Sequence, residues 1–230
     1  MKLIKPSYKI IDNLDPIYIL EKIEMCARTC YKSNLSNNFE QTKEFLRKII
    51  HVRKHESVIE HFSFTVNFII DRGVSHEIVR HRLASYSQES TRYVNYSKDK
   101  FGNQLTFIIP EWLPELEDGE YYYDIRNNVC YNNKNVEVDE CTIKYLKELL
   151  NIEITYLDLI KGGWSAEKAR DILPTATKTE IVVSANLREW RHILKLRTDF
   201  AAHPQMREIM RPFLDELKEK IPVIFEDIEY

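Results

Sequence analysis

The spacing of apolar residues along the first third of the chain changes from a helical period to a strand period. Residues 15–31 and 39–54 place apolar side chains at helical spacing, for example Phe45 and Ile49, and this spacing predicts two amphipathic helices. Over 62–70 the period becomes two, which predicts a strand with one buried and one polar face. The apolar members of this alternation are Phe62, Phe64, Val66, Phe68 and Ile70.

The middle of the chain predicts a short helix and a strand, separated by polar segments. Residues 74–82 predict the helix, and the arginine-rich stretch after it is predicted to continue as a loop. The segment "QLTFIIP", residues 104–110, predicts a strand that Pro110 ends. Residues 111–135 are rich in Tyr, Asn and charged side chains, and they predict an exposed excursion.

The rest of the chain predicts several helices and one further strand. An apolar stripe from Ile143 to Ile160 predicts a long helix that Gly162 and Gly163 end. Shorter elements follow: a helix after Ser165, a strand over 177–185, and helices over 186–197 and 205–219. No regular βαβ rhythm is present. We therefore predict the α+β class, with an antiparallel sheet packed by several helices, in a single domain over residues 1–230.

Composition narrows the class of protein without indicating an activity. Of 230 residues, 43% are hydrophobic and 11% aromatic, which is typical of a folded globular protein and not of a disordered one. The net charge of −3 gives no global attraction to nucleic acid or anionic membranes, so an anion site must be local. The four cysteines follow no disulfide or zinc-ligand spacing, and no segment approaches a membrane-spanning length. These features predict a reduced, cytoplasmic protein.

The stretch "RHRLASYSQESTRY", residues 80–93, concentrates directional hydrogen-bonding groups. Its three arginines present planar forks that pair with two oxygens of a phosphate or carboxylate. Its serines add neutral donors, while Gln88 and Glu89 add acceptors that a bare phosphate does not need. The mixture predicts an anionic ligand that also carries a polar ring. A solvated loop with weak surface ion pairs is the alternative.

Two further arginines lie at the apolar sides of predicted helices. Arg197 falls inside the apolar arc of the helix over 186–197, and Arg170 lies at the edge of a similar stripe. A buried arginine keeps its charge and needs an anionic or acceptor partner, although one at a helix end is also able to reach solvent. The apolar arc consists of Leu187, Trp190, Ile193 and Leu194, and the opposite side carries Arg188, Arg191, His192 and Lys195.

The segment "HESVIEH", residues 55–61, brings two histidines and two glutamates together before the first predicted strand. Zinc binds such side chains, but the spacing is not HExxH, and His61 starts a strand instead of sharing a helix face with His55. Ligand contacts or the capping of a helix end are favoured over metal binding. Cys26 and Cys30 are spaced to pack on an amphipathic helix, so the sequence does not support a catalytic thiol.

The arginine-rich stretch resembles the signature of the flavin-dependent thymidylate synthases, in which RHR is followed after seven residues by Ser, and then by Arg and Tyr. Here these are residues 80–82, Ser90, Arg92 and Tyr93. Four more segments resemble the same family in the same order: "HESVIEHFSFTV", "ARDILP", "ANLREWRHILKLR" and "HPQ". The resemblance covers most of residues 50–110 and 160–210.

The resemblance implies an enzyme that reductively methylates dUMP to dTMP. It implies FAD as cofactor, methylenetetrahydrofolate as carbon donor and NADPH as the reductant of the flavin, with no enzyme nucleophile and no Rossmann fingerprint. Both absences agree with the sequence, which has no GxGxxG motif. The resemblance also implies a homotetramer in which the FAD sites are built at subunit interfaces.

The same resemblance implies two sets of site residues, with Arg197 as the catalytic arginine that favours ionisation at uracil N3. Many members of the family have Gln where this chain has Glu77. The implied FAD contacts are Ser57, Arg80, His81, Arg82, Gln88, Asn186, Arg188 and His192. The implied dUMP contacts are Glu77, Arg80, Gln88, Glu89, Ser90, Thr91, Arg92, Arg170 and Arg197.

Two alternatives remain open at the level of the sequence. An RNA-binding module would use the Arg-Ser-Tyr loop and nearby aromatic residues, although the acidic balance argues against it. A metal-dependent phosphohydrolase would use His55, His61, His76 and His81, and it predicts metal in the purified protein.

Overall fold

Helices and strands mix along the chain without a repeating βαβ unit, which confirms the predicted α+β class. The computed structural model describes residues 1–230 apart from the side chain of Tyr31. The helices are α1 (Pro16–Tyr31), α2 (Phe39–Arg47), α3 (Arg72–Ile78), α4 (Glu140–Lys161), α5 (Ala166–Ala169), α6 (Leu187–Arg197), α7 (Pro204–Lys220) and α8 (Pro222–Phe225). The strands are β1 (Lys2–Ile4), β2 (Ser7–Ile10), β3 (Ser63–Asp71), β4 (Ala84–Gln88), β5 (Thr106–Ile108), β6 (Gly119–Tyr123), β7 (Val129–Tyr131), β8 (Lys134–Asn135) and β9 (Lys178–Asn186).

The chain forms two compact units, and each unit is assembled from three separate segments. The first unit comprises Met1–Ser7, Ile69–Glu77 and Gln88–Ile181. The second unit comprises Tyr8–Phe68, Ile78–Ser87 and Val182–Tyr230. The single domain predicted over residues 1–230 stays a prediction.

The first unit contains a five-stranded sheet of order β5-β1-β6-β7-β8. Strand β1 pairs in parallel with β5 and antiparallel with β6. Helix α4 supplies Leu146, Leu149 and Tyr156 to the core of this unit. The helix begins where the Asp139 carboxylate accepts hydrogen bonds from the backbone N–H groups of Cys141 and Thr142, and it ends at Gly162, as the sequence predicted.

The exposed excursion predicted over residues 111–135 contains β6, β7 and β8, and most of its residues are exposed while a few are buried in the core of the first unit. Leu113 and Val129 are buried here, and the rings of Tyr121 and Tyr131 stack with their centroids 4.9 Å apart. The hydroxyl of Tyr121 donates to the backbone oxygen of Glu117 at 3.0 Å. Tyrosine contributes a large apolar ring to a core while its hydroxyl finds a polar partner, so a polar composition does not exclude buried positions.

The second unit holds most residues of a four-stranded sheet of order β2-β3-β9-β4. Alternate side chains of β3 are buried, as its period of two predicts. Phe64 stacks on Trp190 of α6 with centroids 5.1 Å apart, and Phe213 of α7 meets Trp190 edge-on at 5.4 Å. These three rings are 1% exposed or less, so they anchor α6 and α7 to the sheet.

The arginine-rich stretch contains strand β4, where the sequence predicted a continuous loop. Helix α3 ends at Ile78, and a turn leads to β4, in which Ser85 and Ser87 are exposed while their neighbours are half-buried. The hydroxyl of Tyr86 donates to the backbone oxygens of Ile78 and His81, at 2.9 and 2.6 Å. This tyrosine therefore fastens the turn that carries Arg80-His81-Arg82 to the strand that follows it.

Candidate functional site

A cleft of about 600 Å³ opens in the second unit beside the start of α6. Three segments of this unit form its walls: the 3-10 helix Glu56–His61, the turn before β4, and α6 with its N-cap. Both signs of charge are present, so the cleft suits a polar ligand with several hydrogen-bonding groups. Its lining residues are Glu56, Glu60, Leu83, Asn186, Arg188, Glu189, Arg191, His192 and Lys195.

The first turn of α6 is fixed by its own side chains. Oδ1 of Asn186 accepts a hydrogen bond from the backbone N–H of Glu189 at 2.9 Å and so caps the helix. NH1 of Arg188 donates to Oε1 of Glu60 at 2.5 Å, with both side chains about half exposed. The Arg188 pair is open to solvent and contributes little to stability, so an incoming anion is able to compete for the guanidinium.

Arg191 forms the buried wall of the cleft, with its side chain 1% exposed. Its guanidinium donates to both carboxylate oxygens of Asp227, at 2.6 and 2.9 Å, and to Glu56 at 3.1 Å. A further bond goes to the backbone oxygen of Ile224. The helical-wheel prediction is wrong for Arg191, which it placed on the polar side although the side chain is buried, while Arg197, which it placed in the apolar arc, is half-buried. The carboxylate that compensates Arg191 is far away in the sequence.

His81 and Arg197 are hydrogen-bonded to each other. Nε of Arg197 donates to Nε2 of His81 at 3.0 Å, so the imidazole proton lies on Nδ1, which faces Oε1 of Glu189 at 3.9 Å. The His81 ring also meets the ring of His192 edge-on, with centroids 5.7 Å apart. Burial, together with the charges of Arg197 and His192, lowers the pKa of His81 to about 4. The imidazole is therefore neutral near pH 7.

In the first unit, the carboxylate of Glu89 is held by two partners. The hydroxyl of Tyr96 donates to Oε1 at 2.7 Å, and Nζ of Lys178 donates to Oε2 at 2.8 Å. Arg72 also donates to the backbone oxygen of Glu89 at 2.9 Å. Burial and the bond to Glu89 raise the pKa of Tyr96 above its ordinary value. Glu89, Tyr96 and Lys178 line a second cavity, of about 400 Å³.

The residues around Glu89 form a hydrogen-bonded turn in the same unit. Nε2 of Gln88 donates to the hydroxyls of Ser75 and Thr179, at 2.9 and 3.1 Å. The backbone oxygen of Ser90 accepts hydrogen bonds from the N–H groups of two later residues, and Thr91 is buried. These hydrogen bonds therefore fix the backbone of the turn from which the Arg92 side chain extends.

Arg92 projects from this turn into solvent. Its Nε–H donates to Oε1 of Glu167 at 2.7 Å, and both side chains are about half exposed. Arg170 is half-buried at the end of α5, and Glu77 is half-buried at the end of α3. These residues all belong to the first unit.

Comparison with known proteins identifies the family. The sequence profile of the family described as "Thymidylate synthase complementing protein" matches residues 18–223. A flavin-dependent thymidylate synthase of Geobacter sulfurreducens is 32% identical over 212 residues, which cover 89% of this chain and 80% of that protein. This chain belongs to the flavin-dependent thymidylate synthase family.

Solved structures share the fold. The UMP/dUMP methylase PolB from Streptomyces cacaoi, bound with 5-Br dUMP, superposes with a TM-score of 0.73 at 22% identity, over 98% of this chain and 96% of that chain. Thymidylate synthase X from Helicobacter pylori, with FAD and dUMP, superposes with a TM-score of 0.68 at 22% identity, over 97% of this chain and 98% of that chain. The predicted membership in the flavin-dependent thymidylate synthases is thus confirmed by sequence, and these structures extend it to the fold.

The FAD contacts implied by the resemblance lie in the second unit, except for Gln88. Three of them line the cleft directly: Asn186, Arg188 and His192. Ser57 is exposed on the 3-10 helix that contributes two glutamates to the lining of the cleft. His81 is buried, and its ring contacts the ring of His192. Arg80 and Arg82 are exposed on the turn between α3 and β4 and are not among the lining residues.

The implied dUMP contacts are divided between the two units. Arg80 and Arg197 belong to the second unit. The rest belong to the first unit: Glu77, Gln88, Glu89, Ser90, Thr91, Arg92 and Arg170. Within the first unit, Gln88 to Arg92 are brought together by β4 and the turn after it.

The histidines named for a phosphohydrolase do not form a metal centre in the part of the chain that the structure describes. Among those residues, no group of three or more His, Cys, Asp or Glu side chains is placed to hold a metal ion. His55, His61 and His76 are exposed. Nor is any described helix both long and apolar enough to span a membrane.

Among the cleft residues that are absent from the predicted site sets, two are buried: Glu189 and Arg191. Both are at least 94% buried and lie on the same helix as the predicted Arg188 and His192. The available signal was the high density of charge in the first two turns of α6, which a solvated helix face explains equally well. Only the packing of α6 distinguishes the two cases.

Proposed function

We propose that this protein is a flavin-dependent thymidylate synthase that methylates dUMP to dTMP. Family membership across residues 18–223 carries this proposal. It is supported by the cleft in the second unit, which gathers Asn186, Arg188 and His192 as the resemblance implies. Neither the RNA-binding nor the phosphohydrolase hypothesis is supported by the family match.

The donors of the cleft fit FAD as a ligand. Arg188 and Lys195 are solvent-exposed cations that suit a diphosphate, and the Leu83 side chain offers apolar surface to a planar ring. Arg191 also lines the cleft, and its buried Nε–H has no hydrogen-bond partner among the described residues. The volume of about 600 Å³ lies in the range of small-molecule sites. When bound, FAD would supply the hydride chemistry, using reducing equivalents from NADPH.

We assign FAD binding to Ser57, Arg80, His81 and Arg82 as well, and to Gln88 of the first unit. In this assignment Arg188 gives up its exposed pair with Glu60 for the cofactor. Asn186 keeps its capping bond, because that bond uses Oδ1 and leaves its Nδ2 hydrogens free to donate.

Arg197 is proposed to act on the uracil ring of dUMP. A guanidinium keeps its charge at any working pH, so it stabilises negative charge on the ring whenever the N3 proton is lost. That charge makes C5 of the uracil more nucleophilic toward the carbon of methylenetetrahydrofolate. The enzyme then needs no nucleophile of its own, which agrees with the absence of a catalytic setting for Cys26 and Cys30.

The remaining dUMP contacts are proposed to bind the phosphate and the ring. Arg92 and Arg170 are the phosphate cations, with Ser90 and Thr91 as neutral donors. Gln88 is proposed to contact the uracil ring. Its Nε2 donates to the hydroxyls of Ser75 and Thr179, and its Oε1 is the atom that would accept a hydrogen bond from the ring. The full proposed set also includes Glu77, Arg80 and Glu89.

The proposal extends to the assembly and the location of the enzyme. We infer a cytoplasmic homotetramer in which FAD sites form at subunit interfaces, as the resemblance implies. No contact with nucleic acid or membranes is part of this proposal.

The proposal is tested by measuring dTMP formation. The purified protein is incubated with dUMP, methylenetetrahydrofolate, FAD and NADPH, and each component is omitted in turn. We expect dTMP only when dUMP, methylenetetrahydrofolate and NADPH are all present and the protein carries bound or added FAD, with no loss on adding a chelator. Activity that depends on a divalent metal, or no dTMP from the complete mixture, would overturn the proposal.

A further inference from the structure

Three buried or half-buried side chains of the second unit, beginning at the cleft, contact one another in sequence: Glu189, His81 and Arg197. Glu189 lines the cleft and is 6% exposed. Its Oε1 is 3.9 Å from Nδ1 of His81, and Nε2 of His81 accepts the Nε–H of Arg197 at 3.0 Å. The order is therefore carboxylate, imidazole, guanidinium.

The hydrogen bond to His81 holds the Nε–H of Arg197, and the position of Nε determines the orientation of the guanidinium. The Nε–H lies at the root of the planar guanidinium, so a fixed partner there fixes the plane that carries the two terminal nitrogens. Arg197 is the last residue of α6 and is only half-buried. Ordering a long side chain at a helix end costs rotamer entropy, and the bond to His81 offsets part of that cost.

The imidazole is itself held on several sides. It is 6% exposed, its backbone oxygen accepts the hydroxyl of Tyr86 at 2.6 Å, and its ring meets His192 edge-on. The ionisable groups that face it are Arg197 at Nε2, Glu189 on the Nδ1 side and His192 across the ring. The carboxylate on the Nδ1 side favours the tautomer with its proton there, although 3.9 Å is too long for a direct hydrogen bond.

We propose that His81 is a positioning residue for Arg197, and that Glu189 keeps the imidazole in the tautomer whose Nε2 accepts from Arg197. This inference rests on the proposed function, in which Arg197 acts on the uracil ring. Nε2 accepts the Nε–H only while the ring is neutral, and an imidazolium would repel the guanidinium instead.

A double-mutant cycle on the FAD-loaded enzyme tests the proposal. His81→Leu removes the acceptor, His81→Gln supplies a carbonyl oxygen in its place, and each is combined with Arg197→Ala. In the enzyme that keeps Arg197, we expect His81→Leu to lower kcat for dTMP formation at least tenfold, and His81→Gln to lose less. In the Arg197→Ala background, the fold loss in kcat per bound FAD from His81→Leu should be at least threefold smaller than in the enzyme that keeps Arg197, because the positioning effect is transmitted through the missing arginine.

Two results would overturn the proposal. Equal fold losses from His81→Leu in both backgrounds would mean that His81 acts independently of Arg197. Equal losses in His81→Leu and His81→Gln would mean that the acceptor is irrelevant. FAD content and thermal midpoint are measured for every variant, so that a loss of cofactor or of folding is separated from a loss of positioning.

Histidine tautomers in the wild-type enzyme give a test that does not depend on any variant retaining activity. In protein labelled with ¹⁵N-histidine, the His81 signal is the one that His81→Gln removes. We expect its Nδ1 to be protonated and its Nε2 to be unprotonated, and a proton on Nε2 would overturn the proposal. Wild-type protein that makes no dTMP would overturn the proposed function and leave this readout intact, so the two failures are distinguishable.

Discussion

Arg92 and Glu167 form an exposed ion pair in the first unit, with Nε of Arg92 donating to Oε1 of Glu167 at 2.7 Å. An exposed pair of this kind contributes about 0–1 kcal/mol to stability. In the proposed function, Arg92 binds the phosphate of dUMP, so Glu167 competes with the substrate for one guanidinium. The pair is therefore expected to weaken dUMP binding, while it contributes little to the stability of the fold.

Removing the competing carboxylate should improve dUMP binding. We expect Glu167→Gln to lower the apparent KM for dUMP roughly two- to fivefold, with kcat unchanged. In this variant Arg92 binds the phosphate without first breaking an ion pair. Glu140→Gln is the matched control, since Glu140 also forms an exposed pair in the same unit, with Lys144. A higher KM in Glu167→Gln would show that the pair instead holds Arg92 in its binding position.

Loss of the arginine itself should act on binding more than on turnover. A charge-assisted hydrogen bond is worth about 1.5–3 kcal/mol, so Arg92→Ala should raise the apparent KM for dUMP roughly 10- to 150-fold. Steady-state kinetics with dUMP varied and the other substrates saturating measure this. Lys144→Ala is the control for removing an exposed cation, and unchanged dUMP binding in Arg92→Ala would remove Arg92 from the phosphate site.

Arg191 and Asp227 should be a major source of stability in the second unit. Breaking a buried ion pair by removing one partner costs roughly 3–5 kcal/mol, and the partial exposure of Asp227 places Asp227→Asn at about 2–3 kcal/mol. Chemical denaturation of the two proteins at pH 7 measures the difference. Glu226→Gln is the control, since its bond to Arg47 is exposed and should contribute under about 1 kcal/mol.

The stability that Asp227 contributes should decrease as the pH is lowered. Partial burial opposes ionisation of this carboxyl, but the hydrogen bonds and charge of Arg191 outweigh it and hold its pKa below the ordinary range. The stabilisation is therefore complete above the ordinary carboxyl pKa of about 3.8 and is lost as the pH falls below it. A difference between wild type and Asp227→Asn that stays constant down to pH 2 would contradict this.

His81 should make the protein less stable in mild acid. Its pKa is lowered from 6.5 to about 4, so the unfolded chain binds the extra proton between these values while the folded protein does not. The contribution is fully present above pH 6.5 and is lost as the pH falls toward 4. Between pH 7.5 and 5, the free energy of unfolding should fall by roughly 1–2 kcal/mol more in wild type than in His81→Gln. Parallel curves for the two proteins would show that His81 takes up its proton as readily in the folded protein as in the unfolded chain.

The sequence predicted elements well where one face of the chain is buried along its whole length. The alternation around Phe64 predicted β3, and the arc that includes Trp190 predicted α6, because both patterns are set by burial against a single layer. The β6–β7 hairpin was missed because tyrosines such as Tyr121 are polar in composition but bury their rings.

The candidate site was predictable only in part, and through resemblance more than through pattern. A motif implies Arg188 and His192, which the structure places on one cleft. The burial of Arg191 was not predicted, and its carboxylate partner Asp227 lies 36 positions away in the sequence, where no local pattern connects the two. The bond between His81 and Arg197 joins residues 116 positions apart, and no local pattern records it.

The absorbance spectrum of the purified protein reports directly on whether the cleft beside α6 holds FAD for the methylation of dUMP. We expect a yellow protein with flavin absorbance, or one that takes up added FAD, and bleaching of that absorbance by NADPH without oxygen. A colourless protein that takes up no added FAD would contradict this expectation.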